Sequence, residues 1–215
     1  MTMDVQVWSD VVCPWCYLGK RRLERALRDF GGPATVTWRA YQLDPSPVPA
    51  AMPIKAAMAA KFGGAERSEQ MFAYVTAVAA GDGLTLNFDR AIAANTFDAH
   101  RLIAWAATQH RQADMLDALQ RAHFTDGVDI GSVGALARVA GTIGLDEAAA
   151  LGHLASTAGA HEVHADIAMA RDLGITGVPT FVIDRKYAIQ GAQEPATLVT
   201  AFAEIARREH VDAGR

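Results

Sequence analysis

With 215 residues, 51% hydrophobic and 20% charged, the chain can bury a real core and is not a disordered tail. Its formal charge of −4 comes without a basic stripe, so a nucleic-acid partner has no electrostatic footprint. No apolar run is long enough to span a bilayer, so no membrane-spanning helix is expected.

The N-terminal segment MTMDVQVWSD has no basic start followed by an apolar stretch, so it does not read as a secretory signal. The default expectation is therefore a cytoplasmic location. Val5 and Val7 alternate with polar neighbours and predict a strand from 4 to about 9. A helix opens at the cysteines, with Leu23, Ala26, Leu27 and Phe30 on one face and GGP at 31–33 as its stop. TVTWRAYQL predicts a second strand, and strand–helix–strand implies a right-handed parallel unit.

DPSPVPAAMP carries four of the eight prolines and predicts an irregular connection. Helices are then expected over 52–62, 68–80, 96–112, 114–123, 132–142 and 146–156. In the second of these, Met71, Tyr74, Val75 and Val78 recur at helical spacing. Asn95 with Asp98 resembles a capping box, and Ser132 and Asp146 are good N-cap types. A last helix around Val163, Ile167 and Ala170 closes at Gly174. GVPTFVID and RKYAIQGAQ read as an antiparallel strand pair. PATLVTAFAEIARRE follows as a helix opened by Pro195. The predicted class is α/β, with a discontinuous domain of residues 1–45 and 174–215 around a helical insertion of 46–173. Lys20, Arg21 and Arg22 are expected on a solvated helix face.

The chain has two cysteines, Cys13 and Cys16, set three apart in VVCPWCYLGK where a strand gives way to a helix. Unsatisfied N–H groups and the positive end of the helix dipole favour an anion there, and a thiolate on Cys13 supplies one. Cys16 lies one turn deeper, shielded, where it can attack a mixed disulfide on Cys13. Pro14 fits the first turn, which needs no N–H from it. Trp15 sits between the thiols on an exposed turn, where it can contact a substrate or tune the pair. A C-x-x-C pair beside a β-α-β pattern signals redox work. Three other readings stand beside it: a structural disulfide, which a reducing compartment disfavours; a zinc site, which wants four ligands; and inert cysteines. His161 and His164, near Asp166, are the candidates to complete a zinc site, against a plain solvated helix face.

Val178 and Pro179 form the second constellation. A proline at the first residue of a strand is an edge signal or the site of a cis bond that exposes the backbone before it. Asp10 is either a proton relay near Cys16 or a turn residue. Trp38 and Tyr41 read as core rather than as a substrate platform, and Asn95 and His100 as capping or surface residues, with a place facing the cleft as the alternative.

SDVVCPWCYLGKRRLE, NTFDAHRL, AHFTDGVDI and LGITGVPTFVID together resemble the DsbA-like thioredoxin-fold family, in its FrnE-like, unsecreted branch of dithiol–disulfide oxidoreductases. The resemblance covers nearly the whole chain. It implies a thioredoxin fold with the helical block inserted, catalytic Cys13 (nucleophile) and Cys16 (resolving), and a cis-proline loop at Val178–Pro179 facing them. With Pro14 and Trp15, that loop would bind substrate. Periplasmic relatives resemble CPHC where this chain has CPWC. The layout is also similar to 2-hydroxychromene-2-carboxylate isomerases and kappa-class glutathione transferases. There a serine usually replaces the nucleophile, so a glutathione-dependent small-molecule enzyme is the alternative. The implied partners are protein or small-molecule thiols and disulfides, with glutathione as a co-substrate, no permanent cofactor and no metal. A homodimer is left open.

Overall fold

The structure is a computed structural model that describes residues 2–49 and 51–213. Ala50, in the proline-rich connection, lies outside the described residues. Strand β1 (Met3–Ser9) pairs in parallel with β2 (Ala34–Ala40) across helix α1 (Pro14–Phe30). After the helical block, β3 (Thr180–Ile183) pairs antiparallel with β1, and β4 (Tyr187–Gln190) antiparallel with β3. The sheet order is β2-β1-β3-β4. Register places Val7 between Trp38 and Phe181. This is a thioredoxin fold carrying a large helical insertion.

Alternation along β1 sorts its side chains onto two faces. Val5 and Val7 are fully buried with Leu23 and Ala26 of α1, and with Leu198 and Phe202 of α9 (Pro195–Ala213). Phe30 meets Phe202 edge-on at 5.8 Å, so the predicted stripe of α1 does face α9. The left-handed cap at Gly31 (φ 67°) ends α1 as the GGP signal requires. On the opposite face Trp8 packs with Val182 and Ala170 and donates its indole N–H to the carbonyl of Asp166.

The insertion comprises α2 (Ile54–Phe62), α3 (Ala65–Gly81), α4 (Phe97–Ala107), α5 (Gln112–Arg121), a π-helical turn (Ala122–Asp126), α6 (Val133–Thr142), α7 (Glu147–Ala155) and α8 (Ala160–Asp172). Its apolar core is continuous with that of the sheet through Leu102, Met115, Leu116 and Leu119. A second core joins Tyr17 and Leu18 of α1 to Ile54, Phe72, Phe88 and Phe124. Arg101 is buried and donates to the carbonyls of His153, Leu154, Ser156 and Ala158, closing the open end of α7 onto α4.

Several expectations shift. The helix expected over 96–112 ends at Ala107, and the chain turns through His110 (φ 58°) before Gln112 starts α5. Gln112 then spends its amide on the edge of β2: Oε1 accepts from the Trp38 N–H (3.1 Å) and Nε2 donates to the Trp38 carbonyl (2.9 Å). Thr96, not Asn95, is the N-cap residue of α4. Asn95 accepts from the Phe97 N–H and donates to the carbonyls of Pro45 and Ser46, pinning the proline-rich connection. Asp146 caps α7 through the Ala149 N–H, whereas Ser132 occupies the cap position of α6 without a side-chain bond. Of the expected stripe on α3, Val75 is buried, together with Phe72 and Ala79, whereas Tyr74 and Met71 face outward. The basic run is not a solvated face. Lys20 is buried against Glu24 and Asp117, and Arg22 against Asp82 and the Ala192 carbonyl, because the insertion packs along that side of α1. Only Arg21 keeps substantial exposure.

Candidate active site

Cys13 is the N-cap residue of α1, with extended backbone (φ −91°, ψ 113°), and Pro14 is the first helical residue. The Cys13 N–H bonds back to the Asp10 carbonyl at 3.1 Å, while the N–H groups of Cys16 and Tyr17 bond to the Cys13 carbonyl at 3.0 and 3.2 Å. Among the described residues no side chain caps this helix, and no acidic residue lies in its first turn. The positive end of the dipole is therefore left for Cys13 itself.

Both cysteines are free thiols. Cys16 has no exposure and Cys13 only 5%. Cys13 is thus nearly buried even though it stands at the helix start. Its Sγ lies under the Val178 carbonyl, to which the thiol donates at 3.8 Å. The Val178–Pro179 peptide is cis, and Gly191 donates its N–H to the Pro179 carbonyl at 2.8 Å. Pro179 is buried and Val178 half-buried. Loop and thiol meet because Gly19 on α1 has no side chain: a β-carbon there would lie 2.8 Å from Pro179 Cγ.

Cys16 faces inward. Its Sγ accepts the Asp10 N–H at 3.5 Å. Burial raises its pKa well above the ordinary thiol value, and the hydrogen bond and charge of Cys13 raise it further. The Asp10 N–H opposes this and the Asp10 charge adds to it. Asp10 is itself 1% exposed. Its Oδ2 accepts the Leu43 N–H at 2.8 Å, and Oδ1 lies 3.3 Å from Nε2 of His100. The same Nε2 lies 3.0 Å from the Tyr41 carbonyl. His100 is 4% exposed, so its reading as a capping or surface residue is corrected: α4 turns it inward against the end of β1.

His123, on the π-helical turn, is fully buried, with both ring nitrogens unpartnered among the described residues. Burial lowers its pKa to about 4, with the Asp10 charge pulling the other way. Sequence reasoning missed His123. A lone histidine in an apolar helix carries no signal of its surroundings.

Trp15 is half-buried, its ring 6.0 Å from that of Tyr74 on α3. Tyr74, 64% exposed, thus borders the site although its spacing pointed to the core. Trp38 is core as expected, and Tyr41 is half-buried. His161 and His164 are exposed on α8, where His164 lies against Phe97 of α4 and His161 borders a cavity with Arg39 and Asp166. Asp166 instead binds Arg39 and the Ala40 N–H. Among the described residues no three His, Cys, Asp or Glu side chains gather as a metal site would need. No helix among them is long and apolar enough to cross a membrane.

A crystal structure of a probable DsbA oxidoreductase from Streptomyces coelicolor is 36% identical, with a TM-score of 0.88, covering 94% of this chain and 89% of that one. The Bacillus subtilis protein YwbO is 27% identical over 187 residues, 85% of this chain and 88% of its own. The Pseudomonas aeruginosa cytosolic disulfide reductase DsbM, solved with GSH, shares the fold at 21% identity and a TM-score of 0.66, covering 95% of this chain and 99% of its own. A family model, the DSBA-like thioredoxin domain, matches residues 4–203. A match of that extent, over a thioredoxin fold with a closely spaced cysteine pair, places the chain in the family of DSBA-like thioredoxin domains.

Proposed function

We propose that the chain is a cytoplasmic dithiol–disulfide oxidoreductase of the FrnE-like kind, with Cys13 as nucleophile and Cys16 as resolving thiol. The observation that carries the reading is the unequal placement of the two sulfurs. Cys13 stands at the helix N-terminus beneath the Val178 carbonyl, and Cys16 is sealed behind it. The Cys13 thiolate attacks one sulfur of a substrate disulfide R–S–S–R′. The Cys13–S–S–R bond forms, and R′–S⁻ leaves with the electron pair and takes a proton. Cys16 then loses its proton and attacks Cys13 Sγ, giving the Cys13–Cys16 disulfide and releasing R–S⁻, which is protonated in turn. The substrate is reduced by two electrons and the pair oxidised by two. The reverse sequence oxidises a dithiol.

Pro14 and Trp15 on one side, and Val178 and Pro179 on the other, flank Cys13 and hold the substrate. An extended peptide would lie along the Val178 backbone in the manner of an added strand. Glutathione serves as a small-thiol co-substrate. The disulfide reductase solved with GSH supports this by its fold. Cysteines at both 13 and 16, with no serine at the nucleophile position, favour disulfide exchange over a glutathione-dependent isomerase or transferase. In the test, Cys16→Ser is incubated with a disulfide-bonded substrate protein and glutathione disulfide. Mixed disulfides should accumulate on Cys13, and Cys13→Ser should form none. Adducts trapped chiefly on Cys16 of the Cys13→Ser protein would reverse the assignment.

A further inference from the structure

Cys16 must give up a proton to resolve a mixed disulfide, yet it is fully buried against the backbone N–H of Asp10, whose own buried carboxylate charge is felt at the sulfur. A second negative charge beside Asp10 in a low-dielectric interior is costly unless a positive charge arrives with it. Asp10 itself is fixed on one side by the Leu43 N–H and on the other faces His100. The His100 Nε2 lies within reach of two oxygens, Asp10 Oδ1 at 3.3 Å and the Tyr41 carbonyl at 3.0 Å. A carbonyl can only accept, so Nε2 carries a hydrogen in either protonation state. Nδ1 is therefore the position at which this ring gains or loses a proton. His100 also lines a cavity of about 390 Å³ between β2, α4 and α8, bounded as well by Ser9, Arg39, His161 and Asp166. The ring thus stands between the buried carboxylate and a space away from the face where Cys13 meets Val178.

We propose that His100, supplied by the helical insertion, takes up a proton at Nδ1 from the cavity side as Cys16 gives one up, with Asp10 as the charge link between them. Before resolution the group is Cys16 thiol, Asp10 carboxylate and neutral imidazole, with net charge −1. Afterwards it is thiolate, carboxylate and imidazolium, again −1. The Cys16 proton passes to solvent on the Cys13 side while His100 draws one from the cavity. The thiolate then attacks Cys13 Sγ, the bond from Cys13 Sγ to the substrate sulfur breaks, R–S⁻ departs and takes a proton from solvent, and His100 returns its proton to solvent. The ionisable groups around the link are Cys13 and Cys16 on α1, Asp10 on the β1–α1 turn, and His123 on the π-helical turn. On the cavity side stand Arg39, paired with Asp166, and His161. His123 has no route of this kind, since its ring nitrogens meet no partner among the described residues. His100 is a positioning residue here, acting on Cys16 through Asp10.

The inference rests on the proposed roles of Cys13 and Cys16, and a two-phase experiment separates the two claims. Reduced protein is mixed in a stopped-flow instrument with 5,5′-dithiobis(2-nitrobenzoate). The first equivalent of thionitrobenzoate reports attack by Cys13 and the second reports resolution by Cys16. In H100Q, whose amide can still donate toward Asp10 but cannot titrate, the first phase should keep its rate. The second should slow by about tenfold or more at pH 7, less than the roughly hundredfold of a base in direct contact because His100 acts through Asp10. Its pH profile should also differ from that of the wild type, because glutamine carries no titrating group. H100F should behave alike. In D10N the charge link is lost, so His100 should no longer influence the second phase, and D10N/H100Q should resolve no more slowly than the slower single variant, as residues acting as one unit do. A second phase of wild-type rate and pH profile in H100Q would reduce His100 to a structural role and overturn the proposal. So would equal slowing of both phases, or additive losses in the double variant. Absence of the first phase in the wild type would overturn the role of Cys13, and this inference with it.

Discussion

Gly19 and Pro179 are in direct contact across the site: the α1 backbone approaches the proline ring so closely that a β-carbon on Gly19 would lie 2.8 Å from Pro179 Cγ and 3.5 Å from the Phe181 ring. The contact ties the helix that carries both cysteines to the loop whose Val178 carbonyl covers Cys13. A proline ring cannot swing aside as a lysine tip would, so the loop as a whole has to yield. Gly19→Ala is therefore expected to destabilise by about 1–3 kcal/mol through overpacking, despite the better helix propensity of alanine. Disulfide exchange should slow as well, because the loop moves away from Cys13. Urea unfolding and an exchange assay on the same preparation check both. An alanine variant more stable than the wild type with full activity would show that the approach is relaxed at no cost.

Trp15 lies between the thiols with its ring near Tyr74, and an indole offers only a neutral N–H donor. A histidine at this position can donate a hydrogen bond or carry charge near the thiolate, which favours the reduced form. Trp15→His should therefore raise the reduction potential of the 13–16 pair. About 30 mV corresponds to roughly 1.4 kcal/mol for this two-electron couple, so a single added hydrogen bond is measurable. Equilibration against glutathione buffers gives the value. A lowered or unchanged potential would remove residue 15 as the tuning element.

His123 makes stability depend on acid. In the unfolded chain its imidazole protonates near 6.5, whereas in the fold it does so only at about 4, because burial penalises the cation. Between those values the unfolded chain binds more protons, so stability falls as pH drops through the window and is unaffected by this group above it. At about 1.4 kcal/mol per unit, the loss is on the order of 3 kcal/mol. His123→Leu removes the titration and two unpartnered buried nitrogens together. It should raise stability at pH 7 by about 1–2 kcal/mol and flatten the slope between pH 6.5 and 4. Denaturation midpoints across that range test it, and a parallel slope in the variant would assign the acid limb to other groups.

Gln112 completes the edge of β2 with one acceptor and one donor, both on the Trp38 backbone. Gln112→Ala strands that N–H and carbonyl, at an expected cost of about 1–3 kcal/mol. Gln112→Glu keeps the acceptor but turns a carboxylate oxygen toward the Trp38 carbonyl, so it should be no better than alanine at neutral pH. Thermal melts of the two variants rank them, and a glutamate variant as stable as the wild type would mean that the edge is satisfied in another way.

Local signals in the chain determined much of this protein. Val5 and Val7 announced β1, the Cys13–Cys16 spacing behind that strand announced the redox pair, GGP closed α1, and GVPTFVID announced the loop and strand opposite. Such features depend on backbone propensity and on neighbours within a few residues, which a linear reading can see. Cys16 was likewise legible as the shielded thiol from its place one turn into α1. What tertiary structure alone decided are the meetings between segments far apart in sequence. His100 and Asp10 are 90 residues apart and touch in the interior. Lys20 and Arg22 are buried because the insertion brings Asp117 and Asp82 to them. Tyr74 borders Trp15 although its period matched a core position. Cys13 is covered by a carbonyl from a loop more than 160 positions away. Hydrophobic periodicity states that a face will be buried, but not against what. The partner of a charged or polar side chain depends on which helices pack side by side, and that is set by the closing of the two shared cores.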